Sequence, residues 1–279
     1  AYALIASEVK TEERGKTMGT LTTGNVGGQL IGPIIGGYLS GVFGYRLPFY
    51  MFGFMMFLAS LSTWFFVKED FTPIKKGAKT GIKDAFKGIK HKRVVWAMII
   101  SSMLVMAATT SINPIISLFV KELMHSHGNV AFTSGVIAAL PGIATIFAAP
   151  YLGRLGDHIG PEKILLAGLI FSAVVFFPMF FVTTVVMLGV LRFLIGIANA
   201  ALLPITQTVM TLEAPSRSVS RIFSYNQSFQ AMGAVVGPML ASGVAGILDY
   251  RYVCLMTTLI VLINIVVVIV AYKKDKVIA

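Results

Sequence analysis

The chain has 279 residues, of which 56% are hydrophobic and 13% charged, and its mean hydropathy is +0.81. Since soluble domains are about a quarter charged, this composition excludes an ordinary soluble protein and indicates an all-α polytopic membrane protein. The net charge of +11 does not indicate nucleic-acid binding, because the basic residues lie between apolar runs. Cys254 is the single cysteine, which excludes an intrachain disulfide and a cysteine metal site, and no cofactor is expected.

Eight apolar runs are long enough to cross a bilayer, at about 20 residues for each span. They lie at 20–41, 47–67, 94–118, 134–152, 164–183, 185–211, 223–248 and 252–272. Since eight is even, we expect both ends of the chain on one side of the membrane.

The basic residues indicate which side this is. Of the 23 Lys and Arg residues, 19 lie on one face of the predicted topology, nine of them in the loop 68–93. The opposite loops carry only Arg46, Lys121 and Arg251. The positive-inside rule therefore predicts a multi-pass protein of the cell membrane, with both termini and the basic loop in the cytoplasm.

The first predicted span carries a glycine ridge. Gly24, Gly28, Gly32 and Gly36 recur every four residues and share one helix face, and Pro33 predicts a kink. In lipid, such a face permits close backbone packing. It indicates either a moving joint between helices or an ordinary small-residue packing face.

An internal repeat relates the two ends of the chain. The segment 27–46 aligns without gaps on 232–251 at an offset of 205 residues, which pairs Gly32-Pro33 with Gly237-Pro238. Six spans separate the copies, as in the parallel repeats of transporters. The repeat divides the chain into the remnant of an N-terminal bundle (1–67), a basic cytoplasmic linker (68–93) and a complete six-helix C-terminal bundle (94–279).

The repeat also predicts an upstream segment. The chain starts with AYALIAS, which looks like the tail of an earlier apolar run. The offset places the counterpart of Val94 about 110 residues before Ala1. We therefore expect the first three N-terminal spans, and most of the fourth, to be missing from this sequence.

These residues resemble a known family. Gly19, Gly28, Gly32-Pro33 and Gly36-Gly37 match in full the antiporter motif of the drug:proton antiporters in the major facilitator superfamily. The resemblance implies a partial major facilitator fold of about eight transmembrane helices. It also implies that two bundles rock around a central cavity and export drugs against inward proton flow. The glycine helix would seal the bundles together, with the span at 134–152 as its partner.

A second resemblance concerns the loop at 153–163, which is similar to the superfamily's cytoplasmic loop motif. Gly153, Asp157 and Gly160 match, whereas Pro161 and Glu162 replace the family's later basic pair. Asp157 is either a carboxylate that accepts hydrogen bonds from a helix N-terminus across the bundle interface and closes the cytoplasmic gate, or a solvated turn residue.

Arg192 is the one cation predicted inside a span, in a run that resembles a second-half copy of the superfamily's motif with an intramembrane arginine. It either pairs with another group and takes part in gating, or extends its charged end to the membrane surface.

Several amides fall inside predicted spans. They either line a substrate cavity or make interhelical hydrogen bonds; the candidates are Asn113, Gln207, Asn226, Gln227 and Gln230. No acid falls in the middle of a span, so we expect the proton-coupling carboxylate in the missing upstream segment.

Three functions remain open. The first is a secondary transporter that exports apolar or cationic drugs for protons. The second is a transporter of the same architecture for another solute, such as a sugar or metabolite. The third is a truncated, regulatory or inert membrane protein. No enzymatic activity is expected, and the chain has no GxxxxGK[ST] motif of an ATP-driven pump.

Overall fold

The structure is a computed structural model that describes residues 14–66, 89, 91–125, 128–213 and 219–275. Over these residues the fold is all-α, without a β-strand, as predicted. The helices are α1 (Arg14–Phe43), α2 (Arg46–Phe66), α3 (Lys92–Ser111), α4 (Ile116–Leu123), α5 (Val130–Ile159), α6 (Pro161–Phe176), α7 (Val185–Glu213), α8 (Val219–Ile247) and α9 (Tyr252–Asp275). A 3-10 turn at Asn113–Ile115 joins α3 to α4, and another at Phe177–Phe181 extends α6.

Seven of the described helical segments are long and apolar enough to cross a membrane, and they match seven of the eight predicted spans. The exception is α1. It is a 30-residue helix over the predicted span at 20–41, but its described apolar stretch is Leu30–Phe43. Most side chains before Leu30 lie outside the described part of the structure, so the comparison covers only the second half of α1.

The predicted span at 94–118 is not one continuous helix. α3 ends at Ser111, the chain makes a 3-10 turn at Asn113–Ile115, and α4 continues to Leu123. Pro114 explains the break, because its ring removes a backbone donor and clashes with the preceding helical turn. Asn113 and its polar neighbours therefore lie at an interruption of the span.

Short connections hold the helices antiparallel. The side chain of Asn129 caps α5 by accepting a hydrogen bond of 3.0 Å from the backbone N–H of Phe132. Gly160 alone separates α5 from α6. Its φ of +103° is accessible to glycine at little cost, and Pro161 follows at the first position of α6.

The hydrophobic core lies among the helices from α3 to α9. Its largest buried side chains come from several helices and include Met98 on α3, Phe119 on α4, Leu169 on α6, Ile195 on α7 and Tyr272 on α9. By contrast, α2 is exposed along nearly its whole length in the described structure. Helices α3 to α9 thus share one core, and α1 and α2 lie outside it.

α8 packs closely against α3 through two glycines. A Cβ placed on Gly237 would lie 2.9 Å from the Cα of Ala107 and closer still to its carbonyl oxygen. A Cβ on Gly233, one turn earlier, would collide with the carbonyl oxygen of Met103. Because glycine has no side chain, the two backbones come into direct contact. Such close packing is a main source of helix association in lipid.

α1 packs against α5 in the same manner. A Cβ on Gly37 would lie 2.7 Å from the carbonyl oxygen of Ala131 and 3.2 Å from the Cα of Gly135. A Cβ on Gly135 would in turn collide with the carbonyl oxygen of Pro33. This contact holds the backbone of α1 directly against that of α5.

Candidate functional site

The candidate site is an open cavity of about 1020 Å³ that is lined by α1, the α3–α4 segment, α5 and α7. Pro33, Gly36, Gly37 and Ser40 form the wall on α1. The cavity therefore lies between α1 on one side and α3, α4, α5 and α7 on the other. Its volume is at the upper end of the range for small-molecule sites, about 300–1,000 Å³.

The lining mixes apolar side chains with hydrogen-bonding groups. Hydroxyls and amides are contributed by Ser40, Thr109, Thr110, Asn113, Ser117, Ser134, Thr145 and Asn199. The apolar part includes Val105, Met106, Ile116, Leu118, Val130 and Leu203. Such a surface suits a ligand with an apolar body and a few polar groups, and the methionine supplies an adaptable contact.

Arg192 lines this cavity from α7. It is 4% exposed, and its Nε atom has no hydrogen-bond partner among the described residues. The side chain thus does not extend to the membrane surface, which removes one of the two interpretations from sequence. Pairing or gating by Arg192 stays a prediction.

Close packing of α5 on α7 fixes the position of Arg192. A Cβ on Gly196, one turn after Arg192, would lie 2.7 Å from the Cβ of Ala144. In addition, the hydroxyl of Thr145 donates a hydrogen bond of 2.9 Å to the carbonyl oxygen of Gly196. The guanidinium group therefore belongs to a rigid pair of helices.

Of the five predicted cavity amides, the structure places Asn113 in the cavity. Gln207, Asn226, Gln227 and Gln230 do not line it. Asn226 and Gln230 are 1% and 5% exposed, and Asn226 Oδ1 and Gln230 Nε2 have no hydrogen-bond partner among the described residues. Gln227 is exposed. A role for these four residues in binding stays a prediction.

Sequence reasoning missed most of the polar lining. Asn199 lies seven residues after Arg192, so the two share one face of α7. Thr109 and Ser117 stand four residues before and after Asn113. Helical spacing from the residues already singled out would have found all three. Ser40 and Thr145 carry no comparable signal.

The motif glycines of α1 have different surroundings. Gly37 contacts α5, whereas a Cβ on Gly28, Gly32 or Gly36 would meet nothing within 4 Å in the described structure. At about 100° per residue, Gly28 and Gly32 lie roughly opposite the face that holds Gly37. The contact with α5 is therefore not made by the glycine ridge. Gly19 lies within α1, but its surroundings are outside the described part.

The loop motif at the other end of α5 is mostly helical. Gly153 and Asp157 lie inside α5 and Gly160 ends it, so the expectation that Asp157 lies in a loop is wrong. No proline lies between Gly153 and Gly160, and the helix continues to Ile159. The side chain of Asp157 lies outside the described part of the structure, and its role as a gate stays a prediction.

Ion pairs tie helix ends together outside the cavity. Arg251 donates hydrogen bonds to Glu122 Oε1 (2.9 Å) and to the carbonyl oxygen of Val182 (3.1 Å). At the opposite end, His91 Nδ1 and Glu213 Oε2 are 2.8 Å apart and connect the start of α3 to the end of α7. The predicted basic loop 68–93 lies outside the described residues, apart from Ile89 and residues 91–93.

Proteins of similar sequence match almost the whole of this chain. Proteins named "Multidrug resistance protein MdtG" from Klebsiella pneumoniae (strain 342) and Yersinia enterocolitica are 43% and 42% identical over 264 residues. The match covers 95% of this chain and 64% of each relative, so the chain spans slightly less than two thirds of their length.

The fold also matches solved structures. A crystal structure of a bacterial homolog to the human lysosomal transporter Spinster, inward-facing and unoccupied, superposes with a TM-score of 0.76 at 17% identity. The superposition covers 98% of this chain and 74% of that one. The inward-facing, occupied form gives a TM-score of 0.74 at 16% identity. This likeness shows the fold.

The family model described as Major Facilitator Superfamily matches residues 1–133 and 98–277, which together span almost the whole sequence. The predicted membership rested on the glycine motif and the repeat, and it is confirmed by this match and by the relatives. This chain belongs to the major facilitator superfamily.

Proposed function

We propose that the complete protein is a secondary active transporter that exports several drugs in exchange for protons, by alternating access between two six-helix bundles. The carrying observation is the cavity between α1 and the C-terminal bundle, whose mixed lining suits drug-sized molecules. The name of the MdtG relatives supports multidrug export. Transport by this mechanism involves no covalent reaction.

The domain assignment is part of the proposal. Residues 1–67 would end an N-terminal bundle, 68–93 would link the bundles, and 94–279 would form the C-terminal bundle. Further N-terminal spans would pack against α1. In support, Gly233 and Gly237 align with Gly28 and Gly32 and press on the backbone of α3. The open glycines of α1 would contact the corresponding helix of the N-terminal bundle.

The orientation follows from charge. With 19 of 23 basic residues on one face of the predicted topology, both termini would lie in the cytoplasm and the protein in the cell membrane. The connection between α5 and α6 then lies on the cytoplasmic side, where Asp157 would stabilise the closed gate.

Proton coupling requires a titratable group that the two sides reach in turn. In the described structure no Asp or Glu lines the cavity. We therefore assign the coupling carboxylate to the N-terminal bundle, upstream of this sequence. Its protonation would alternate with drug binding in the cavity.

The test is export by the full-length gene product in a drug-sensitive bacterium. Energised cells should lose a panel of fluorescent drugs faster than cells with the empty vector, and a protonophore should abolish the difference. A sugar panel run in parallel tests the other solute class. Accumulation of a sugar without drug export would favour that alternative, and no movement of either would contradict the proposal.

A further inference from the structure

Arg251 connects three helix ends at one end of helices α3 to α9. Its guanidinium group donates hydrogen bonds to Glu122 Oε1 near the end of α4 (2.9 Å) and to the carbonyl oxygen of Val182 before α7 (3.1 Å). Its Cζ atom also lies 5.6 Å from the ring centre of Phe119 on α4, within the range of a cation–π contact. One side chain beside the start of α9 therefore holds the end of α4 and the connection between α6 and α7.

The internal repeat places a second arginine at the corresponding point. At the offset of 205 residues, Tyr45-Arg46 aligns with Tyr250-Arg251. Arg46 is the first residue of α2, as Arg251 directly precedes α9, and each of these helices follows a helix with a Gly-Pro pair. Parallel repeats place such counterparts at equivalent positions in the two halves of a transporter. Arg46 is therefore expected to make the same kind of contact.

The described structure does not contain this contact. Arg46 is exposed, and neither ion pair among the described residues includes it. Tyr45 is 71% exposed and borders the cavity. The offset places the counterparts of Phe119 and Glu122 about 87 and 84 residues before Ala1. Length is compatible with such a segment, because the match covers only 64% of the MdtG relatives.

We propose that Arg46 is the docking point on α2 for the end of the first upstream span. Its guanidinium group pairs there with an Asp or Glu that lies about one helical turn after an aromatic ring, as Arg251 pairs with Glu122 beside Phe119. This inference rests on the N-terminal bundle of the proposed function, and it names the contact that fixes α2 in that bundle. The partner is a carboxylate of the same protein because the repeated arginine uses one.

The first test is the sequence upstream of Ala1. It should encode an Asp or Glu within one helical turn of the position about 84 residues before Ala1. This acid should follow an apolar run that ends with an aromatic residue. An upstream sequence without an acid at this place would overturn the inference.

The second test measures the coupling of the two charges in the full-length protein. Arg46→Glu should lower the unfolding temperature in detergent by about 2–4 °C, because an ion pair is replaced by two like charges. Replacement of the upstream acid by Arg should have a similar effect. The two substitutions together should lower the unfolding temperature by less than the sum of the single effects, because opposite charges then face each other again.

Two combinations within this chain are the matched controls. Arg251→Glu with Glu122→Arg exchanges the charges of the observed ion pair and should also give less than the sum. Arg46→Glu with Glu122→Arg combines members of different pairs, so their effects should add. If Arg46→Glu yields no folded protein, Arg46→Gln with the upstream acid changed to its amide replaces the exchange, with the same criterion.

Additive effects for Arg46 and the upstream acid would overturn the inference, and would indicate that Arg46 faces a lipid phosphate or water. Proton-driven drug export together with additive effects would remove this inference and leave the proposed function. A coupled pair in a protein that exports no drug would support the docking contact and contradict the proposed function.

Discussion

Gly37 of α1 and Gly135 of α5 face each other with no side chain between them. A Cβ on Gly37 would come within 3.2 Å of the Cα of Gly135. The wall of the cavity on α1 is thus positioned by direct backbone contact, and any side chain at this point must separate the two helices.

Gly37→Leu should destabilise the protein and reduce export. The atom that its Cβ would strike is the backbone carbonyl oxygen of Ala131, at 2.7 Å, which cannot move as a flexible side chain can. Overpacking of this kind costs about 1–3 kcal/mol. Thermal unfolding of the full-length protein in detergent would measure the loss. Val266→Leu, at an exposed position of α9, is the control and should unfold like the wild type.

Gly237→Leu should destabilise the protein at least as much as Gly37→Leu. Its Cβ would lie 2.9 Å from the Cα of Ala107 on α3, a residue that is 3% exposed. We expect loss of folded protein on size-exclusion chromatography. Gly246→Leu lies on the same helix with nothing within 4 Å of its Cβ and should be tolerated. Equal behaviour of the two variants would show that the α3–α8 contact is not close-packed.

Gly32→Leu distinguishes the proposed N-terminal bundle from an open face. Nothing in the described structure lies within 4 Å of a Cβ at this position. If upstream helices pack here as α3 packs on Gly237, the substitution should abolish export by the full-length protein and lower its unfolding temperature. Wild-type export and stability would argue that Gly32 faces lipid.

Arg251 and Glu122 should couple weakly. Their ion pair is 2.9 Å long, but the side chains are 27% and 46% exposed. Exposed pairs contribute about 0.2–1 kcal/mol. A double-mutant cycle on unfolding with Arg251→Gln and Glu122→Gln measures the coupling. Arg251→Gln alone should lower the free energy of unfolding more than Glu122→Gln alone. The reason is that Arg251 also donates a hydrogen bond to Val182 and lies 5.6 Å from the ring centre of Phe119. If the two single substitutions lower the free energy of unfolding equally, Arg251 has no stabilising role beyond its ion pair with Glu122.

The fold was largely predictable because length and hydropathy decide whether a helix crosses a bilayer. Seven predicted spans coincide with the described helices. The division into bundles, which the repeat at Gly32 and Gly237 predicts, stays a proposal. The break at Pro114 was not predicted, and proline alone does not indicate it, since Pro33, Pro204 and Pro238 lie inside continuous helices.

The site was less predictable. Amide residues inside spans were sound candidates, yet Asn113 lines the cavity while Asn226 and Gln230 are buried away from it. Which face of α8 turns inward depends on the contact of Gly233 and Gly237 with α3, and no local pattern gives this. The face of α1 that contacts α5 was likewise set by Pro33 and Gly37, not by the more regular ridge.

The most direct measurement concerns the cavity itself. In a full-length protein without other cysteines, Asn199→Cys and Thr145→Cys place single thiols in the lining. An exposed control thiol is placed at Thr183, in the connection between α6 and α7. The account predicts that a saturating exported drug slows maleimide labelling of the two cavity thiols and not that of the control. Labelling of both cavity thiols at an unchanged rate, with a drug that the same protein exports, would contradict the claim that this cavity binds the transported molecule.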